Sequence, residues 1–251
     1  MEKSIDFDLV ADLYDAYVQT DADIGFYLSL CEGHTDILEL MCGTGRVSLP
    51  LLRARHKLTC VDYSVRMLDV FRGKLTGPES AELICQDISD LRLSRQFEFA
   101  FIPFHSIAEI TDKANRQRAI RRVYEHLLPG GQFFVSLYNP AYRIGLADGV
   151  ERPLGGFVTP DGHTLHVRYR NEYVPSEELI QGEQVYEVYD QLGGKLEKRT
   201  LPIRFSVVTK EEMLSAAASA GFVLKEMYGD YARGPYLPDS VFMHFLFEKT
   251  T

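Results

Sequence analysis

The sequence predicts an α/β fold in which a mostly parallel sheet is covered by helices and carries an antiparallel β insertion after its fifth strand. Apolar strands and helices alternate from residue 36 to residue 138, which is typical of parallel sheets with helices on both faces. After residue 140 the alternation gives way to three long runs rich in tyrosine and valine. The chain ends in two strands with no helix between them, which predicts that the last strand runs antiparallel.

The first predicted strand, residues 37–40, leads into a glycine-rich turn, Cys42-Gly43-Thr44-Gly45. The strand is too short and too apolar to be an amphipathic helix, so it is predicted to be buried and parallel. Gly43 and Gly45 can take backbone angles closed to other residues, and they let a ligand approach the main chain closely. The helix predicted at residues 47–52 directs its free N–H groups back toward the turn. The pattern predicts a cradle for a nucleoside-like cofactor.

The other elements of the core continue the alternation. Leu128-Pro129-Gly130-Gly131 is expected to end the helix before the fifth strand, because glycine is the favoured residue just past a helix end. Further strands are predicted at residues 57–61, 81–85, 97–102 and 132–138, and helices at residues 64–75 and 112–128.

The second half of the chain is predicted to form a separate antiparallel sheet and then the end of the core. Gly193-Gly194 is the signal for a two-residue hairpin turn between two of its strands. Thr209, with Glu212 three residues later, forms a capping-box pattern for a helix that ends at Gly221. Strands are predicted at residues 163–174, 182–191, 195–208, 222–228 and 241–248.

Composition and charge narrow the function classes. The chain has 27 basic and 36 acidic residues, a net charge of −9 and no long basic run, which argues against a nucleic-acid partner. Its four cysteines show no C-x-x-C pairing, so no metal site is predicted. Residues 1–6 show no signal-peptide pattern, and no apolar stretch has transmembrane length. We therefore expect a cytoplasmic protein without a membrane partner.

Three carboxylates near the ends of the predicted strands suit a nucleoside ligand. Asp62 ends the second strand, where it can accept both ribose hydroxyls, or else cap the helix that begins near Ser64. Asp87 follows the third strand, where it can accept from an adenine amino group with Ile88 packed on the ring, or else form an ordinary turn. Glu39 lies beside the glycine turn, where it suits a cationic group or braces the loop.

These motifs together resemble the class I S-adenosylmethionine-dependent methyltransferases: Glu39-x-x-Cys42-Gly43-Thr44-Gly45, Asp62 with Met67, Gln86-Asp87 and Leu128-Pro129-Gly130-Gly131. The resemblance covers residues 36–138. The sequence differs from the family pattern at Met41, where glycine is common. It implies a Rossmann-like seven-stranded sheet with an antiparallel last strand, and S-adenosyl-L-methionine as the cofactor. It also implies that the glycine turn approaches the methionine part of the cofactor, that Asp62 holds the ribose, and that Asp87 and Ile88 flank adenine. The expected cofactor-binding residues are Tyr14, Glu39, Met41, Gly43, Thr44, Gly45, Arg46, Asp62, Tyr63, Met67, Gln86, Asp87, Ile88 and Phe104.

The N-terminal segment Tyr14-Asp15-Ala16-Tyr17 narrows the resemblance. An early helix of this kind is similar to that of small-molecule methyltransferases, especially the amino-sugar N,N-dimethyltransferases, in which the helix caps the cofactor and the insertion covers the substrate. The alternative for Tyr14 and Tyr17, which share a helical face, is core packing. The expected domains are N-terminal cap helices at residues 1–35, a cofactor-binding core at 36–139, a substrate-covering antiparallel insertion at 140–208 and the C-terminal part of the core at 209–251.

The segment after the fourth strand, which opens beside the transferred methyl group in this fold, supplies two catalytic candidates. Glu109 or His105 can take the proton that an ammonium must lose before its nitrogen attacks a sulfonium methyl. The sugar methyltransferases often carry histidine where Glu109 stands, so the identity of their base does not carry over. The alternatives are a satisfied loop histidine for His105 and a helix N-terminal carboxylate for Glu109.

The function predicted is S-adenosylmethionine-dependent methyl transfer to an amine or hydroxyl of a small molecule. The insertion is expected to supply the substrate wall, and its exposed faces offer a surface for a homodimer. One alternative is an NAD(P)-dependent oxidoreductase, which is disfavoured because Ser48 replaces the third glycine of a dinucleotide fingerprint. Another is a non-catalytic cofactor-binding protein of the same fold. The residues expected in the substrate wall are Tyr169, Tyr173, Tyr186, Tyr189, His163, His166 and Arg168.

Overall fold

The computed structural model describes residues 4–76 and 81–250. Residues 1–3 of the predicted cap, residues 77–80 of the predicted core and residue 251 of its C-terminal part lie outside the described residues. The strands are β1 (Asp36–Leu40), β2 (Lys57–Asp62), β3 (Ala81–Cys85), β4 (Phe97–Ile102), β5 (Leu127–Tyr138), β6 (Arg152–Val158), β7 (Thr164–Val174), β8 (Leu179–Tyr189), β9 (Lys195–Ser206), β10 (Phe222–Tyr228) and β11 (Phe242–Lys249). The helices are α1 (Ala11–Tyr17), α2 (Ile24–Cys31), α3 (Ser48–Arg53), α4 (Val65–Lys74), α5 (Lys113–Glu125), α6 (Pro140–Gly145) and α7 (Lys210–Ala220).

The main sheet has seven strands in the order β10-β11-β5-β4-β1-β2-β3. Strands β1 to β5 pair in parallel, and β11 pairs antiparallel with both β5 and β10. The direction of the strand order reverses between β1 and β4, so a crevice opens at the carboxyl ends of these strands, where α/β proteins bind ligands. The predicted fold class, with its antiparallel last strand, is confirmed.

The main sheet is covered on both faces, which explains why most of its strands are continuous apolar runs rather than alternating ones. In one buried cluster, Tyr27 of α2 and Phe71 of α4 lie with Phe101 of β4. In the other, Ile120 of α5 lies with Phe133 of β5. The ligand-binding crevice therefore rests on a rigid, close-packed support.

Helices α4, α5, α6 and α7 begin at a residue whose side chain accepts a hydrogen bond from a main-chain N–H of the first turn, whereas α1, α2 and α3 have no such cap. Ser64 accepts a hydrogen bond from the N–H of the residue three positions later, at the start of α4. At the start of α7, the Thr209 hydroxyl accepts from the N–H of Glu212 at 3.1 Å, as predicted. The Glu212 carboxylate, which was predicted to complete the capping box, accepts from Arg116 instead. Within the described residues, no helix is long and apolar enough to cross a membrane.

The end of α5 differs from the prediction. The helix ends at Glu125, and residues 129–131 belong to β5 instead of terminating the helix. The side chain of Lys249 closes the helix end by donating to the carbonyls of Tyr124 and Leu127 at 2.9 and 2.8 Å. A Cβ on Gly131 would lie 2.8 Å from a carbonyl oxygen. Glycine is therefore needed here for close backbone approach in a strand, and not for a helix cap.

The insertion forms a four-stranded antiparallel sheet in the order β6-β7-β8-β9. Three of its strands were predicted, whereas β6 and the short helix α6 were not. Strand β6 contains Pro153, Gly155 and Gly156, residue types that are depleted in strands and tolerated at a sheet edge. The turn between β8 and β9 spans residues 190–194 and is not the predicted two-residue turn. The Asp190 carboxylate closes it by accepting two main-chain N–H groups at 2.8 Å.

The N-terminal segment ties the two sheets together. Ile5 and Leu13 are buried in one cluster with Ile203 of β9. On the side of the main sheet, Asp8 accepts a hydrogen bond from the Ser64 hydroxyl at 2.5 Å. The segment thus holds the insertion beside the crevice at the carboxyl ends of the strands.

Candidate active site

Two cavities open at the carboxyl edge of the main sheet. The strand-end cavity, of about 570 Å³, follows the ends of β1, β2 and β3. The insertion cavity, of about 340 Å³, lies between α1, the end of β5 and the insertion. Glu109 lines both cavities. A concave, largely apolar site with a few polar groups is typical of small-molecule binding.

The glycine turn after β1 adopts the backbone that the sequence predicts. Gly43 and Gly45 have φ angles of 55° and 81°, in the region that favours glycine. Met41, where glycine is common in the family resembled, also has a positive φ, 58°, which is uncommon for a residue with a side chain. The N–H of Gly43 donates to Asp62 Oδ2 at 2.8 Å, and this bond holds the turn against the end of β2.

Asp62 ends β2 with both carboxylate oxygens bonded to the main chain. Oδ2 accepts from Gly43 and Oδ1 from Ser64, each at 2.8 Å. The cap of α4 is the Ser64 hydroxyl, so the alternative of Asp62 as the helix cap is wrong. Each carboxylate oxygen has a further lone pair, and Asp62 can still accept the ribose hydroxyls predicted for it.

Glu39 is a buried carboxylate at the end of β1. Its Oε2 accepts from the Ser48 hydroxyl at 2.5 Å, which braces the loop, whereas Oε1 is buried without a hydrogen-bond partner among the described residues. Burial raises the pKa of Glu39 to about 8. An orphaned acceptor beside the glycine turn fits the cationic amino group of S-adenosylmethionine, so the residues present suit the predicted cofactor.

Two acidic residues near the N-terminus, Asp15 of α1 and Asp23 before α2, hold the turn, and neither was predicted as a site residue. Asp15 accepts from the Thr44 hydroxyl at 2.6 Å and pairs with Lys74 at 2.6 Å. Asp23 pairs with Arg46 through two bonds of 2.5 and 2.7 Å. These acids precede their turn partners by 29 and 23 residues, so no local spacing could reveal them.

The residues predicted for the adenine and ribose are partly brought together. Tyr63, Gln86, Asp87 and Ile88 line the strand-end cavity, as does the side chain at residue 41. One oxygen of Asp87 accepts the N–H two residues later at 2.8 Å, the bond of an ordinary turn. Met67 is buried in α4 and lines neither of the two cavities. Glu39, the glycine turn, Arg46 and Asp62 also line neither of these two cavities. The contacts of all these residues with the cofactor stay predictions.

Phe104 and His105, after β4, have consecutive positive φ angles of 55° and 64°, a strained backbone of the kind that clusters at functional sites. Both line the insertion cavity, and the Arg46 guanidinium lies 4.6 Å from the Phe104 ring centre. The His105 ring packs 3.8 Å from the ring of Tyr138, and its Nδ1 is 3.1 Å from the Ser136 hydroxyl. Burial holds the pKa of His105 well below its usual value. The contact with Ser136 favours the loop-histidine alternative for His105, and its catalytic role stays a prediction.

Glu109 ends a short 3-10 helix, Ser106–Glu109. Its main-chain carbonyl accepts from the Ser4 hydroxyl, but its carboxyl has no hydrogen-bond partner or counter-ion in the described part of the chain. Burial first, and then the negative charge of Asp62, raise the pKa of Glu109 to about 8. A carboxyl that faces two cavities and titrates near neutrality is a candidate for proton transfer.

The insertion cavity is lined by other residues than those predicted for its wall. Tyr14, expected at the cofactor, lies in this cavity beside Tyr17, and from the insertion come Arg143, Gln184 and Phe205. None of the seven predicted wall residues lines it: Tyr169, Tyr173, Tyr186, Tyr189, His163, His166 and Arg168.

Two of the predicted wall residues, Arg168 and Tyr186, have structural partners instead. Arg168 pairs with Glu187 at 2.7 Å, and the Tyr186 hydroxyl lies 3.0 Å from that of Tyr17, behind the cavity lining. The tyrosines of the inserted strands are of a residue type that a half-buried sheet requires. In the described part of the chain, no group of three or more His, Cys, Asp or Glu side chains is placed to hold a metal ion.

Comparison with known proteins adds family information to this geometry. Residues 37–131 match the family model described as a methyltransferase domain. The demethylmenaquinone methyltransferase of Leptospira interrogans is 31% identical over 104 residues, which are 40% of this chain and 42% of that protein. The chain thus matches about two fifths of the length of that relative. The cypemycin N-terminal methyltransferase of a Streptomyces species is 25% identical over 221 residues, 87% of this chain and 84% of that protein.

Solved structures extend the likeness to the whole chain. The CcbJ methyltransferase from Streptomyces caelestis superposes with a TM-score of 0.79 and 22% sequence identity, over 100% of both chains. At this identity the likeness concerns the fold, and it includes the insertion as well as the main sheet. The expected resemblance to class I methyltransferases is confirmed at the level of domain and fold.

Proposed function

We propose that this chain, whose residues 37–131 form a methyltransferase domain, is an enzyme that transfers a methyl group from S-adenosylmethionine to an amine of a small molecule. The observation that carries the proposal is the position of Glu109, which lines both the strand-end cavity and the insertion cavity. A donor held in the first cavity and an acceptor held in the second would meet at this carboxyl. The sulfonium of S-adenosylmethionine supplies an electrophilic methyl group that a neutral amine can attack.

The residues proposed to hold the cofactor lie along the ends of three neighbouring strands. Glu39 and the glycine turn follow β1 and suit the methionine part. Asp62 follows β2 and suits the ribose, and Asp87 with Ile88 follows β3 and suits adenine. This order along the sheet edge gives each part of an extended nucleoside a polar partner in turn.

The raised pKa of Glu109 favours an amine over an aliphatic hydroxyl as the acceptor. A base with a pKa of about 8 is well matched to an ammonium, whose pKa is about 8 for an α-amino group and about 10.4 for lysine. A hydroxyl resembling water, with a pKa of about 15.7, is too weak an acid for such a base. The name of the Streptomyces relative, an N-terminal methyltransferase, agrees with an amine acceptor.

Alignment of the two reactants is expected to supply most of the rate. The rings of Tyr14, Tyr17, Phe104 and Tyr138 line the insertion cavity, and they exclude water from the amine and fix its approach. The cavity volume of about 340 Å³ suits a small molecule or the end of a peptide.

The proposal is tested by turnover. A panel of small primary and secondary amines, each paired with the corresponding alcohol, is incubated with S-adenosylmethionine, and release of S-adenosylhomocysteine is measured. The expected result is release with one or more amines and none with their alcohols. Binding of NAD(H) without binding of S-adenosylmethionine would instead support an oxidoreductase, and cofactor binding without turnover a non-catalytic protein.

Replacing Asp62 with alanine is expected to weaken S-adenosylmethionine binding by about 1–3 kcal/mol, the usual effect of leaving buried hydrogen-bonding groups without a partner. The variant loses the proposed ribose acceptor and also the bond that positions the N–H of Gly43. Isothermal titration calorimetry measures the change in affinity. Asp69→Ala, on the exposed side of α4, is the matched control and should bind as the wild type does. An unchanged affinity in Asp62→Ala would remove Asp62 from the cofactor site.

A further inference from the structure

Arg143 of α6 reaches into the insertion cavity between two aromatic rings. Its guanidinium carbon lies 5.3 Å from the centre of the Tyr138 ring and 4.9 Å from that of the Phe205 ring. A guanidinium held over ring faces by cation–π contacts makes no hydrogen bond with them, so its N–H donors stay available to a ligand. The side chain is half-buried, so its charge is partly removed from water.

Arg46 and Arg168 have acidic partners, whereas Arg143 has none in the described part of the chain. Arg46 pairs with Asp23, and Arg168 pairs with Glu187. No hydrogen bond or ion pair of the Arg143 side chain is found within residues 4–76 and 81–250. A guanidinium has five N–H donors and keeps its charge at any physiological pH. A partly buried charge without a counter-ion is costly unless a ligand supplies the counter-ion.

We propose that Arg143 binds an anionic group of the methyl acceptor, so that the substrate is a small molecule carrying both an amine and a carboxylate or phosphate. This inference rests on the proposed function, because it assigns the insertion cavity to the acceptor. It divides the cavity into two parts, with the reacting amine at Glu109 and the anionic group at Arg143. The planar edge of an arginine matches the oxygens of either anion through two parallel hydrogen bonds.

The surroundings of Arg143 support an anion more than a neutral group. Burial is the largest influence on the pKa of Arg143 and lowers it, and the phenols of Tyr138, Tyr142 and Tyr169 act on it as well. The positive charge of Arg143 in turn helps to lower the pKa of His105, which lines the same cavity. Among the described residues, no carboxylate pairs with the guanidinium of Arg143 or competes with a ligand for it. In a chain with a net charge of −9, such a site is a local point of attraction for an anion.

The test uses ring compounds that fit an aromatic-lined cavity and differ in charge. Phenyl phosphate, benzoate and uncharged benzyl alcohol are titrated calorimetrically into the wild-type protein, with and without saturating S-adenosylhomocysteine. We expect one saturable site for an anion and binding of benzyl alcohol that is about tenfold weaker or more. Tighter binding of phenyl phosphate than of benzoate would assign the group as a phosphate, and the reverse order as a carboxylate. Equal binding of the alcohol would overturn the proposal.

Substitutions of Arg143 test whether its side chain binds the anion. Arg143→Gln keeps polarity without charge and should lose anion affinity about tenfold or more, while Arg143→Lys keeps charge without the planar edge and should lose less. Arg121→Gln, at an exposed position of α5, is the matched control and should bind as the wild type does. Undiminished anion binding by a folded Arg143→Gln would overturn the proposal. Binding of S-adenosylhomocysteine in the same samples reports on the proposed function separately, because its loss would refute the donor site and leave the anion measurement intact.

Discussion

Replacing Glu109 with glutamine is expected to lower kcat for methyl transfer by about 10²–10⁴-fold, the usual contribution of a positioned general base. The carboxyl lines both cavities and has no hydrogen-bond partner or counter-ion among the described residues. It is therefore free to take the proton of the acceptor ammonium. Glutamine preserves the shape and removes the basic oxygen, so binding of S-adenosylmethionine should change little. Turnover is measured as S-adenosylhomocysteine release with the best acceptor of the amine panel.

Two further variants make this result specific. Glu32→Gln, at an exposed position after α2, is the matched control and should retain the wild-type rate. His105→Gln should lose less than Glu109→Gln, because His105 is buried beside Ser136 and Tyr138. If Glu109→Gln keeps its rate while His105→Gln loses it, His105 is the base. If both variants keep their rates, catalysis depends on proximity alone.

The pH dependence of kcat/KM provides an independent check on Glu109. The base must be ionised to accept a proton, so log(kcat/KM) should rise with pH through the pKa of Glu109 in the free enzyme, about 8, and then level off. When S-adenosylmethionine is bound, its positive sulfonium favours the ionised form of Glu109. The rise of kcat with pH should therefore occur at a lower pH than the rise of kcat/KM. In Glu109→Gln, log(kcat/KM) should instead rise through the pKa of the acceptor amine itself. A rise that stays at the same pH in Glu109→Gln would contradict the assignment.

The fold was predictable because its signals are local. The strand pattern of β1 to β5 depends on burial of both faces, and the caps at Ser64 and Thr209 depend on residues within one helical turn. Where the local signal conflicts with tertiary context, the prediction was wrong. Residues 129–131 resemble a helix end but lie in β5, and the edge strand β6 contains glycine and proline. Both cases are decided by neighbours distant in the chain.

The candidate site likewise contains residues that the sequence revealed and residues that it did not. The glycine turn and the carboxylates at the strand ends were visible because each follows its own strand directly. Asp15 and Asp23, which contact the turn, were not visible, because they reach it from α1 and from the residue before α2. The wall of the insertion cavity was predicted from the tyrosines of the long strands, but the cavity is lined instead by side chains such as Arg143 and Gln184. Which face of the inserted sheet meets the core is set by packing, and residue type alone does not reveal it.

Replacing Gly45 with alanine is expected to lower the free energy of unfolding by about 2–5 kcal/mol, as the sum of an unfavourable backbone angle and overpacking. A Cβ at this position would lie 2.4 Å from two ring carbons of Phe71. Phe71 is fully buried against the main sheet and cannot move without disturbing α4. The φ angle of 81° adds the strain of a left-handed backbone. The sequence predicts that glycine is needed here for ligand access, whereas the structure adds a packing reason in Phe71.

Gly43→Ala separates these two effects, because the neighbouring glycine has a similar backbone and open space around it. Its φ angle is 55°, and a Cβ added there would have no heavy atom within 4 Å beyond its chain neighbours. Only the backbone strain of about 1–2 kcal/mol is expected there. Urea unfolding of the two variants and the wild type measures the difference. Equal destabilisation would show that the Phe71 ring yields to a methyl group, and that the turn is rigid for backbone reasons alone. The larger loss in Gly45→Ala would instead mean that the core residue Phe71 fixes the path of the turn, so that the cofactor site depends on the packing of α4 as well as on the glycines themselves.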